Sequence, residues 1–320
     1  MSVRACLTGV GGYLPKRVVT NEELASRIET SDDWITSRTG IHQRHIADET
    51  ETAASMAASA AREALAYAGA DAAEVDAIIV ATATPDEAFP SVAVRVQAAI
   101  GANRAFGFDL SAACSGFIYA LATANAFILA GQARKILVIG SEVYSRILDW
   151  TDRTTCVLFG DGAGAVLLEA EDLEGSGRGI LSTHLHADGR LGDILYVTGP
   201  GSKAGAVLKM QGRDVFRHAV AKLSEAVDEA LEAHHLVATD IQWLVPHQAN
   251  LRIIDGMARK LSLPEGRVVV TVDRHANTSA ASIPLALNEA MRDGRISKGD
   301  LVLMEGLGGG LTWGSALVRI

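Results

Sequence analysis

At the centre of the chain stands Phe108-Asp109-Leu110-Ser111-Ala112-Ala113-Cys114-Ser115-Gly116-Phe117, which combines the end of a strand, a turn of small residues and the start of a helix. Apolar residues from 105 to 110 predict the strand, and the run from 116 to about 133 predicts the helix. Cys114 therefore lies at a helix N-terminus, where unpaired N–H groups and the helix dipole favour a thiolate. Because the same turn offers N–H donors to an oxyanion, we interpret Cys114 as a candidate nucleophile.

The other two cysteines, Cys6 in the first predicted strand and Cys156 before Val157-Leu158-Phe159, are predicted to be buried structural residues, as most free cysteines are. An odd number of cysteines argues against a disulfide framework and predicts a reducing, cytoplasmic location. The chain has 29 Lys and Arg against 38 Asp and Glu, and its net charge of −9 argues against a nucleic-acid partner. We expect neither a secretory signal nor a membrane span, because no apolar run is long enough to cross a bilayer.

Strands and helices alternate along the whole chain, which is typical of an α/β fold. Besides the two elements around Cys114, we predict strands at 3–10, 75–82, 135–140, 180–185, 241–245, 268–272, 301–305 and 315–320, and helices at 52–68, 91–100, 214–234, 250–261 and 281–293. Residues 156–168 are predicted to form a hairpin around Gly160-Asp161-Gly162-Ala163-Gly164. The glycine-rich interval 184–212 is predicted to run over the surface, as a lid would.

The two halves of the chain resemble each other. Residues 74–80 resemble 240–245, residues 135–140 resemble 300–305, and residues 164–168 resemble 315–318. Such an echo at half the chain length predicts two duplicated α/β halves with mixed sheets. We place the N-terminal half at residues 1–172 and the C-terminal half at residues 173–320.

Two further polar residues, His247 and Asn277, each follow a predicted strand, in Val245-Pro246-His247-Gln248-Ala249-Asn250 and in Arg274-His275-Ala276-Asn277-Thr278-Ser279-Ala280. Ligand sites of α/β sheets lie beyond the carboxyl ends of strands, so we expect both side chains to approach Cys114. Each also has an ordinary explanation, since a histidine after proline is often a turn residue and asparagine is a good helix cap. The combination of a cysteine with a nearby base favours catalysis.

Four motifs occur in order along the chain: Ala112-Ala113-Cys114-Ser115-Gly116, Pro246-His247-Gln248-Ala249-Asn250, Asn277-Thr278-Ser279-Ala280-Ala281-Ser282 and Gly308-Gly309-Gly310. With residues 33–41 and 312–319, they resemble β-ketoacyl-acyl-carrier-protein synthase III, the initiating condensing enzyme of bacterial type II fatty-acid synthesis. The resemblance covers essentially the whole chain. It implies the thiolase fold, a duplicated five-layer αβαβα architecture with mixed β-sheets.

The resemblance implies two reactions at one site. Cys114 takes an acyl group from an acyl-CoA, with acetyl-CoA the expected donor, while the N–H groups of Cys114 and Gly309 stabilise the oxyanion. Malonyl carrier protein then loses CO₂, and His247 and Asn277 donate hydrogen bonds to the resulting enolate. The carbanion attacks the acyl group and yields a 3-oxoacyl product. No cofactor or metal is implied, because acyl-CoA is a substrate.

The resemblance also implies sites for three partners. Trp34 and Arg153 would sandwich the adenine of CoA and Arg38 would hold its phosphates, while the pantetheine arm would be lined by Gly212, Phe216 and Asn250. Acyl carrier protein is small and acidic, and its expected docking residues are Arg217, Arg252, Arg259 and Lys260. Residues 91–115 would form part of a homodimer interface, across which Phe89 would reach the partner's acyl pocket. Taken without the resemblance, Trp34 and Phe89 could be core residues and the arginines solvated charges.

Three alternatives stay open at this point. Cys, His and Asn in this chain order also describe papain-like cysteine acyl hydrolases, although the Cys-Gly-Ser-Cys-Trp neighbourhood of that family is absent. The chain could be a catalytically idle scaffold, against which the intact Cys, His and Asn set argues. A starter-unit condensing enzyme of polyketide or other secondary metabolism is the third, because Asp86-Glu87, Thr154-Thr155 and Glu305-Gly306-Leu307 depart from the commonest family sequences. The starter acyl group therefore stays open.

Overall fold

Two mixed β-sheets form the framework of the computed structural model, which describes residues 3–172, 177–199, 205–264 and 266–320. The strands of the described residues are β1 (Val3–Tyr13), β2 (Arg17–Thr20), β3 (Gln43–Ile46), β4 (Ala77–Ala81), β5 (Phe106–Leu110), β6 (Lys135–Val143), β7 (Asp161–Asp172), β8 (Gly179–Ala187), β9 (Leu195–Val197), β10 (Leu208–Met210), β11 (Trp243–Pro246), β12 (Leu301–Gly308) and β13 (Thr312–Arg319). The α-helices are α1 (Asn21–Ala25), α2 (Asp32–Thr39), α3 (Ala53–Ala68), α4 (Val92–Ile100), α5 (Gly116–Leu129), α6 (Gly212–Ala233), α7 (Leu251–Lys260), α8 (Val272–His275) and α9 (Ser282–Arg292).

The first sheet has the strand order β1-β7-β6-β4-β5, and the second has the order β11-β12-β13-β8. In the first sheet β4 is parallel to β5 and β6, whereas β7 is antiparallel to both its neighbours. In the second sheet only β11 and β12 are parallel. The sheets are therefore mixed, as predicted. The strands of the first sheet come from residues 3–172 and those of the second from residues 179–319. That the two halves are duplicates that meet between residues 172 and 173 stays a prediction, and residue 173 lies outside the described residues.

Helices separate and cover the two sheets to give five layers. Helices α3 and α4 pack on the outer face of the first sheet, where a core of alanine, valine and isoleucine side chains joins them. Helices α5 and α9 lie between the sheets and contact both. Helices α6 and α7 cover the outer face of the second sheet. Each sheet is thus buried on both faces, which explains why its strands have near-continuous apolar sequences.

Two sequence predictions are wrong. Residues 156–168 do not form a hairpin, because 161–172 make the single strand β7 between β1 and β6. The glycines of this segment serve close packing instead of a turn: a Cβ on Gly164 would lie 2.6 Å from the backbone nitrogen of Leu285 in α9. Residues 268–272 form no strand beyond an isolated bridge between Val268 and Leu244, and the chain turns into α8 at Val272.

The remaining predicted elements are present with ends shifted by a few residues, the largest shift being the end of α5 at Leu129. Cys6 and Cys156 are buried free cysteines, as predicted. The interval 184–212 contains the end of β8 and the small sheet of β9 and β10, and its residues 200–204 lie outside the described part. None of the described helices is long and apolar enough to span a bilayer. The cytoplasmic location stays a prediction.

Candidate active site

A cavity of about 1340 Å³ opens between the two halves of the layered structure, and Cys114, His247 and Asn277 all lie in its wall. Their exposed fractions are 5%, 6% and 6%, so the three side chains are buried at its inner end. The structure therefore brings together the three residues that the strand-end argument predicted to meet. Within the described residues, no cluster of three or more His, Cys, Asp or Glu side chains could hold a metal ion.

Cys114 occupies a tight turn, Ala113–Ser115, that leads directly into α5. Strand β12 approaches this turn closely, because a Cβ on Gly308 would lie 2.5 Å from the Cys114 nitrogen. The Thr312 hydroxyl fixes the same turn by contacts with the Ala112 carbonyl at 3.0 Å and the Ser115 hydroxyl at 2.8 Å. The glycine motif of β12 thus lets the C-terminal half close directly over the nucleophile.

Backbone strain marks both the Cys114 and the Asn277 segments. Ala113, Ala276 and Ser279 have φ angles of 45°, 57° and 51°, in the left-handed region that residues with a Cβ rarely adopt. Ala113 precedes Cys114, and Ala276 precedes Asn277. Strain of this kind persists only where the surrounding packing enforces it, which is common at functional sites.

The protonation state of Cys114 differs from the sequence prediction. Burial raises the pKa of its thiol to about 12, and the nearby Glu142 carboxyl acts in the same direction, although a hydrogen bond with the Ser279 hydroxyl lowers it. Loss of hydration therefore outweighs the helix N-terminus that predicted a thiolate. The resting Cys114 is a neutral thiol, and its attack on a thioester requires a proton acceptor.

His247 directly follows β11, and its backbone N–H donates to the Glu305 carbonyl at 2.8 Å. Its Nδ1 lies 2.6 Å from the hydroxyl oxygen of Ser282 at the start of α9. Burial lowers the pKa of His247 to about 3, so the imidazole is neutral near pH 7. If the Ser282 hydroxyl donates to Nδ1, Nε2 carries the hydrogen and becomes a donor toward the cavity.

Asn277 follows α8, not a strand, yet it is held from both sides. Its N–H donates to the Leu158 carbonyl, and its carbonyl accepts from Gly160, both at 3.0 Å. The side-chain oxygen accepts from the Ser279 N–H at 2.9 Å, while Nδ2 donates no hydrogen bond to any of the described residues. The Asn277 amide is therefore oriented with its donor end available to a ligand in the cavity.

The Gln248 side chain explains why residues 268–272 leave the sheet. Its Nε2 donates to the carbonyls of Pro246 and Val269, at 2.9 and 3.0 Å. Its Oε1 accepts from the N–H groups of Thr271 and Val272, at 2.8 and 3.1 Å. One buried amide thus satisfies the backbone groups that a strand would pair, and it joins the His247 loop to the α8 turn before Asn277.

The wide part of the cavity contains most of the residues implied for CoA. Its wall includes Trp34, Arg38, Gly212, Phe216 and Asn250, and also Gly309 nearer the inner end. Arg153 is not in the wall, although its guanidinium carbon lies 5.1 Å from the centroid of the Trp34 ring. Since Arg38 also lies over Trp34, at 4.7 Å, an adenine between Trp34 and Arg153 requires Arg153 to move outward.

The four residues expected to bind carrier protein lie on α6 and α7, which pack side by side. Arg252 lines the entrance and donates to the Ser37 carbonyl at 2.8 Å. Arg217 pairs with Asp214 of its own helix at 2.9 Å, and Lys260 lies 3.5 Å from Asp228. Arg259 is exposed. Two of the four charges are thus partly neutralised, which makes Arg252 and Arg259 the stronger candidates.

Sequence reasoning missed other functional candidates, both in the cavity wall and behind it. Arg213, exposed on the first turn of α6, adds a positive charge at the entrance, and its position beside Gly212 could have indicated it. Glu142, Tyr144 and Ser279 form a polar group behind Cys114. The signal available for Glu142 was a lone acid at the end of a mostly apolar strand.

Phe89 is 85% exposed and does not line the cavity of its own chain, so the alternative of a core phenylalanine is wrong. The preceding residues Pro85, Asp86, Glu87 and Ala88 do line it. A contribution of Phe89 to a partner's acyl pocket stays a prediction.

Comparison with known proteins agrees with this site. Residues 108–189 match the family model of 3-oxoacyl-[acyl-carrier-protein] synthase III, and residues 231–320 match the model of its C-terminal part. The β-ketoacyl-[acyl-carrier-protein] synthase III of Acidiphilium cryptum is 66% identical over 318 residues, covering 99% of each chain. The chain belongs to the 3-oxoacyl-[acyl-carrier-protein] synthase III family. It is accordingly an acyltransferase of fatty-acid biosynthesis, and the hydrolase and scaffold alternatives are set aside.

Solved structures confirm the thiolase fold. The crystal structure of 3-oxoacyl-[acyl-carrier-protein] synthase III from Aquifex aeolicus is 47% identical and superposes with a TM-score of 0.94, covering 99% of this chain and 100% of that one. The priming β-ketosynthase of the R1128 polyketide pathway is 38% identical with a TM-score of 0.93, covering 99% of this chain and 96% of that one. Both initiating enzymes of fatty-acid synthesis and polyketide priming enzymes thus share this architecture.

Proposed function

We propose that Cys114 accepts an acetyl group from acetyl-CoA and that the acetyl-enzyme then condenses with malonyl carrier protein to give a 3-oxoacyl carrier protein. The observation that carries the proposal is the convergence of a buried thiol and two neutral hydrogen-bond donors, His247 and Asn277, on one cavity. Acyl-CoA enters as a substrate, and the chemistry of these side chains requires no cofactor.

In the first reaction the Cys114 sulfur attacks the thioester carbon and CoA leaves. The negative charge that develops on the thioester oxygen needs donors at the turn where Cys114 begins α5. The N–H groups of Cys114 and Gly309 are the proposed pair, because β12 closes directly onto this turn and Gly309 follows it in the cavity wall.

In the second reaction malonyl carrier protein loses CO₂ and its thioester becomes an enolate. His247 and Asn277 suit this step because both are neutral near pH 7, whereas a carboxylate at either position would repel the enolate oxygen. The side-chain oxygen of Asn277 already accepts a hydrogen bond from the Ser279 N–H, so the amide hydrogens of Asn277 face the ligand. The carbanion then attacks the acetyl group and displaces Cys114.

A short starter is favoured by the aromatic residues beside the nucleophile. Tyr144 stacks on Phe159 with ring centroids 4.9 Å apart, and its hydroxyl lies beside the Cys114 thiol. Both rings line the cavity, so an acyl chain on Cys114 has little room in their direction. We therefore favour acetyl-CoA as the starter, in agreement with the assignment to fatty-acid biosynthesis and against the polyketide-priming alternative.

A homodimer is proposed from the edge of the first sheet. Strand β5 ends that sheet, and within the described residues its outer side has no strand partner. Phe106 is 44% exposed on this strand, and Phe89 is 85% exposed on the loop before α4. An exposed apolar edge is a template for pairing with a second copy. Native mass spectrometry tests this, because a fully active monomer contradicts the interface, and an unchanged acyl-CoA preference of Phe89→Ala contradicts its role in the acyl pocket.

The experiment that tests the proposed function is intact-protein mass spectrometry with a panel of acyl-CoAs. We expect a persistent acetyl adduct on the wild-type chain, no adduct on Cys114→Ala, and loss of the adduct when malonyl carrier protein is added, with a 3-oxoacyl carrier protein as product. Rapid turnover of acetyl-CoA by water without any carrier protein would instead indicate a hydrolase and overturn the proposal.

A further inference from the structure

Behind the nucleophile lies a chain of hydrogen-bonded side chains that the proposed reaction does not yet use. The Ser279 turn packs against the Cys114 turn, and the Ser279 and Tyr144 hydroxyls lie close enough to the Cys114 thiol to lower its pKa. The Ser279 oxygen lies 3.1 Å from the Tyr144 hydroxyl and 3.0 Å from Oε1 of Glu142. The Ser279 hydroxyl therefore lies between the thiol and the Glu142 carboxyl group.

Glu142 is fully buried near the end of β6, where it has polar partners but no countercharge. Its Oε2 accepts from the Thr82 hydroxyl, the Ala83 N–H and the Thr84 hydroxyl, at 3.3, 3.1 and 2.6 Å. Glu142 takes part in none of the ion pairs among the described residues. The titratable groups that lie near it are Cys114 and Tyr144. Burial raises the pKa of Glu142 to about 7, so the group can exchange a proton under physiological conditions.

The thiol needs such a partner, because burial raises the pKa of Cys114 to about 12. His247 is the other candidate acceptor in the cavity wall, but burial lowers its pKa to about 3, which makes its imidazole a much weaker base than Glu142. Tyr144 cannot accept the proton as a neutral phenol, and burial holds its pKa well above the ordinary value. Its hydroxyl can instead donate to the sulfur as negative charge develops there.

We propose that Glu142 holds the proton of Cys114 while the acyl group occupies the sulfur, and that Ser279 passes this proton in both directions. In the acylation step the thiol proton moves to the Ser279 oxygen as the Ser279 proton moves to Oε1 of Glu142. The S–C bond to the acyl carbon forms, the C–S bond to CoA breaks, and the CoA thiolate takes a proton from solvent.

Condensation reverses this transfer. When the carbanion displaces Cys114, the bond between its sulfur and the acyl carbon breaks and the thiolate recovers its proton from Glu142 through Ser279. One proton is taken from solvent in each cycle, which matches the one CoA thiol formed. This inference rests on the proposed function, and it adds to it a proton store outside the Cys114, His247 and Asn277 set.

The test compares Glu142→Gln and Ser279→Ala with the wild-type chain in single-turnover acylation by acetyl-CoA, measured as adduct mass against time from pH 5.5 to 8.5. We expect either variant to slow acylation by about 10²-fold, within the range that a general base contributes. The wild-type rate should rise with pH through about 7, since Glu142 must be ionised to accept the proton, and this rise should disappear in Glu142→Gln.

Two controls separate the relay from damage to the fold and from failure of the proposed function. Asp161→Asn changes another buried carboxyl, one that accepts from the Ser145 hydroxyl and the Ala47 N–H, and it should keep the wild-type pH profile. Circular dichroism checks folding, and Ser279→Ala decides the question if Glu142→Gln does not fold. A wild-type chain that acetyl-CoA cannot acylate contradicts the proposed function itself. The relay is overturned if acetyl-CoA acylates the wild type normally and both variants keep an acylation rate within about threefold of the wild-type rate, with the wild-type pH profile.

Discussion

The inner end of the cavity and its entrance are built on different principles. At the inner end, Cys114, His247 and Asn277 are buried, and each is fixed by hydrogen bonds or close backbone packing. At the entrance, Arg38, Arg213 and Arg252 are exposed on helices α2, α6 and α7. The comparison separates two tasks: the inner residues must hold atoms in fixed positions during bond making, whereas the entrance residues must recognise two different carriers of the same thioester group.

The largest expected effect is at the inner end. Cys114→Ala should lower acyl transfer by at least about 10⁴-fold, because no other group in the wall can form the thioester. The measurement is CoA release from acetyl-CoA in a single turnover. Substantial acyl transfer by this variant would break the distinction between the two regions, because chemistry would then not depend on the buried thiol.

The two donors should affect one reaction and not the other. His247→Ala and Asn277→Ala should each slow condensation with malonyl carrier protein by about 10²–10³-fold, since each removes one donor to the enolate. Acylation by acetyl-CoA should change much less, because that step forms its oxyanion at the backbone turn of Cys114. The two half-reactions are measured separately, and a normal condensation rate in either variant would show that the enolate is stabilised elsewhere.

At the entrance we expect a change in binding without a change in chemistry. Trp34→Ala should raise KM for acetyl-CoA by about tenfold, since base stacking contributes on the order of 1–3 kcal/mol. The acylation rate at saturation should stay near the wild-type value. Trp150→Phe is the matched control, because Trp150 lies outside the cavity wall. An unchanged KM would mean that Trp34 only packs against Arg38 and Arg153.

A smaller effect is expected for carrier-protein docking. Arg252→Glu should raise KM for malonyl carrier protein by about three- to tenfold and weaken its salt dependence, because a rim charge mainly controls association. Arg62→Glu, an equal charge change on α3 in the opposite outer layer, is the control. Equal loss of acylation and condensation would mean that Arg252 acts in CoA binding or through its hydrogen bond to the Ser37 carbonyl. No loss of either reaction would mean that Arg252 does not belong to the docking surface.

The smallest effect concerns stability. The Glu305 carboxyl is buried in the cavity wall without a hydrogen-bond partner among the described residues, and burial raises its pKa to about 8 from an ordinary 4.5. Between these two values the folded chain keeps a proton that the unfolded chain has lost, so stability falls as pH rises through this window. The Tm of Glu305→Gln minus that of the wild type should therefore be a few degrees higher at pH 8.5 than at pH 4.5. Parallel Tm curves would contradict this assignment.

The fold and the central site could be predicted from sequence because local patterns carry them. Strand ends next to polar residues indicated Cys114 and His247, and helix and strand periods predicted the alternating elements. The five layers came from the family resemblance. The failures involve contacts between distant parts of the chain. Gly164 was mistaken for a turn residue because the helix that it admits, α9, lies more than 100 residues later. The strand predicted at 268–272 is absent because the Gln248 side chain takes its hydrogen bonds.

The protonation of the site could not be predicted for the same reason. A helix N-terminus is visible in sequence and favours a thiolate, but the burial that raises the pKa of Cys114 depends on how β12 and the Tyr144 region close over it. The link between Glu142 and Ser279 joins residues 137 positions apart, so no local pattern reveals it.

The joint between α2 and α7 has a kinetic consequence. The Asn250 amide donates to the Arg38 carbonyl at 3.2 Å, and the Arg252 guanidinium donates to the Ser37 carbonyl at 2.8 Å. The helix that is expected to bind CoA and the helix that is expected to bind carrier protein therefore border the same cavity entrance. Two pantetheine-bearing substrates that share this entrance must bind in succession, which produces ping-pong kinetics. Free CoA should then compete with malonyl carrier protein for the acetylated enzyme, and its inhibition should be relieved by raising the carrier-protein concentration.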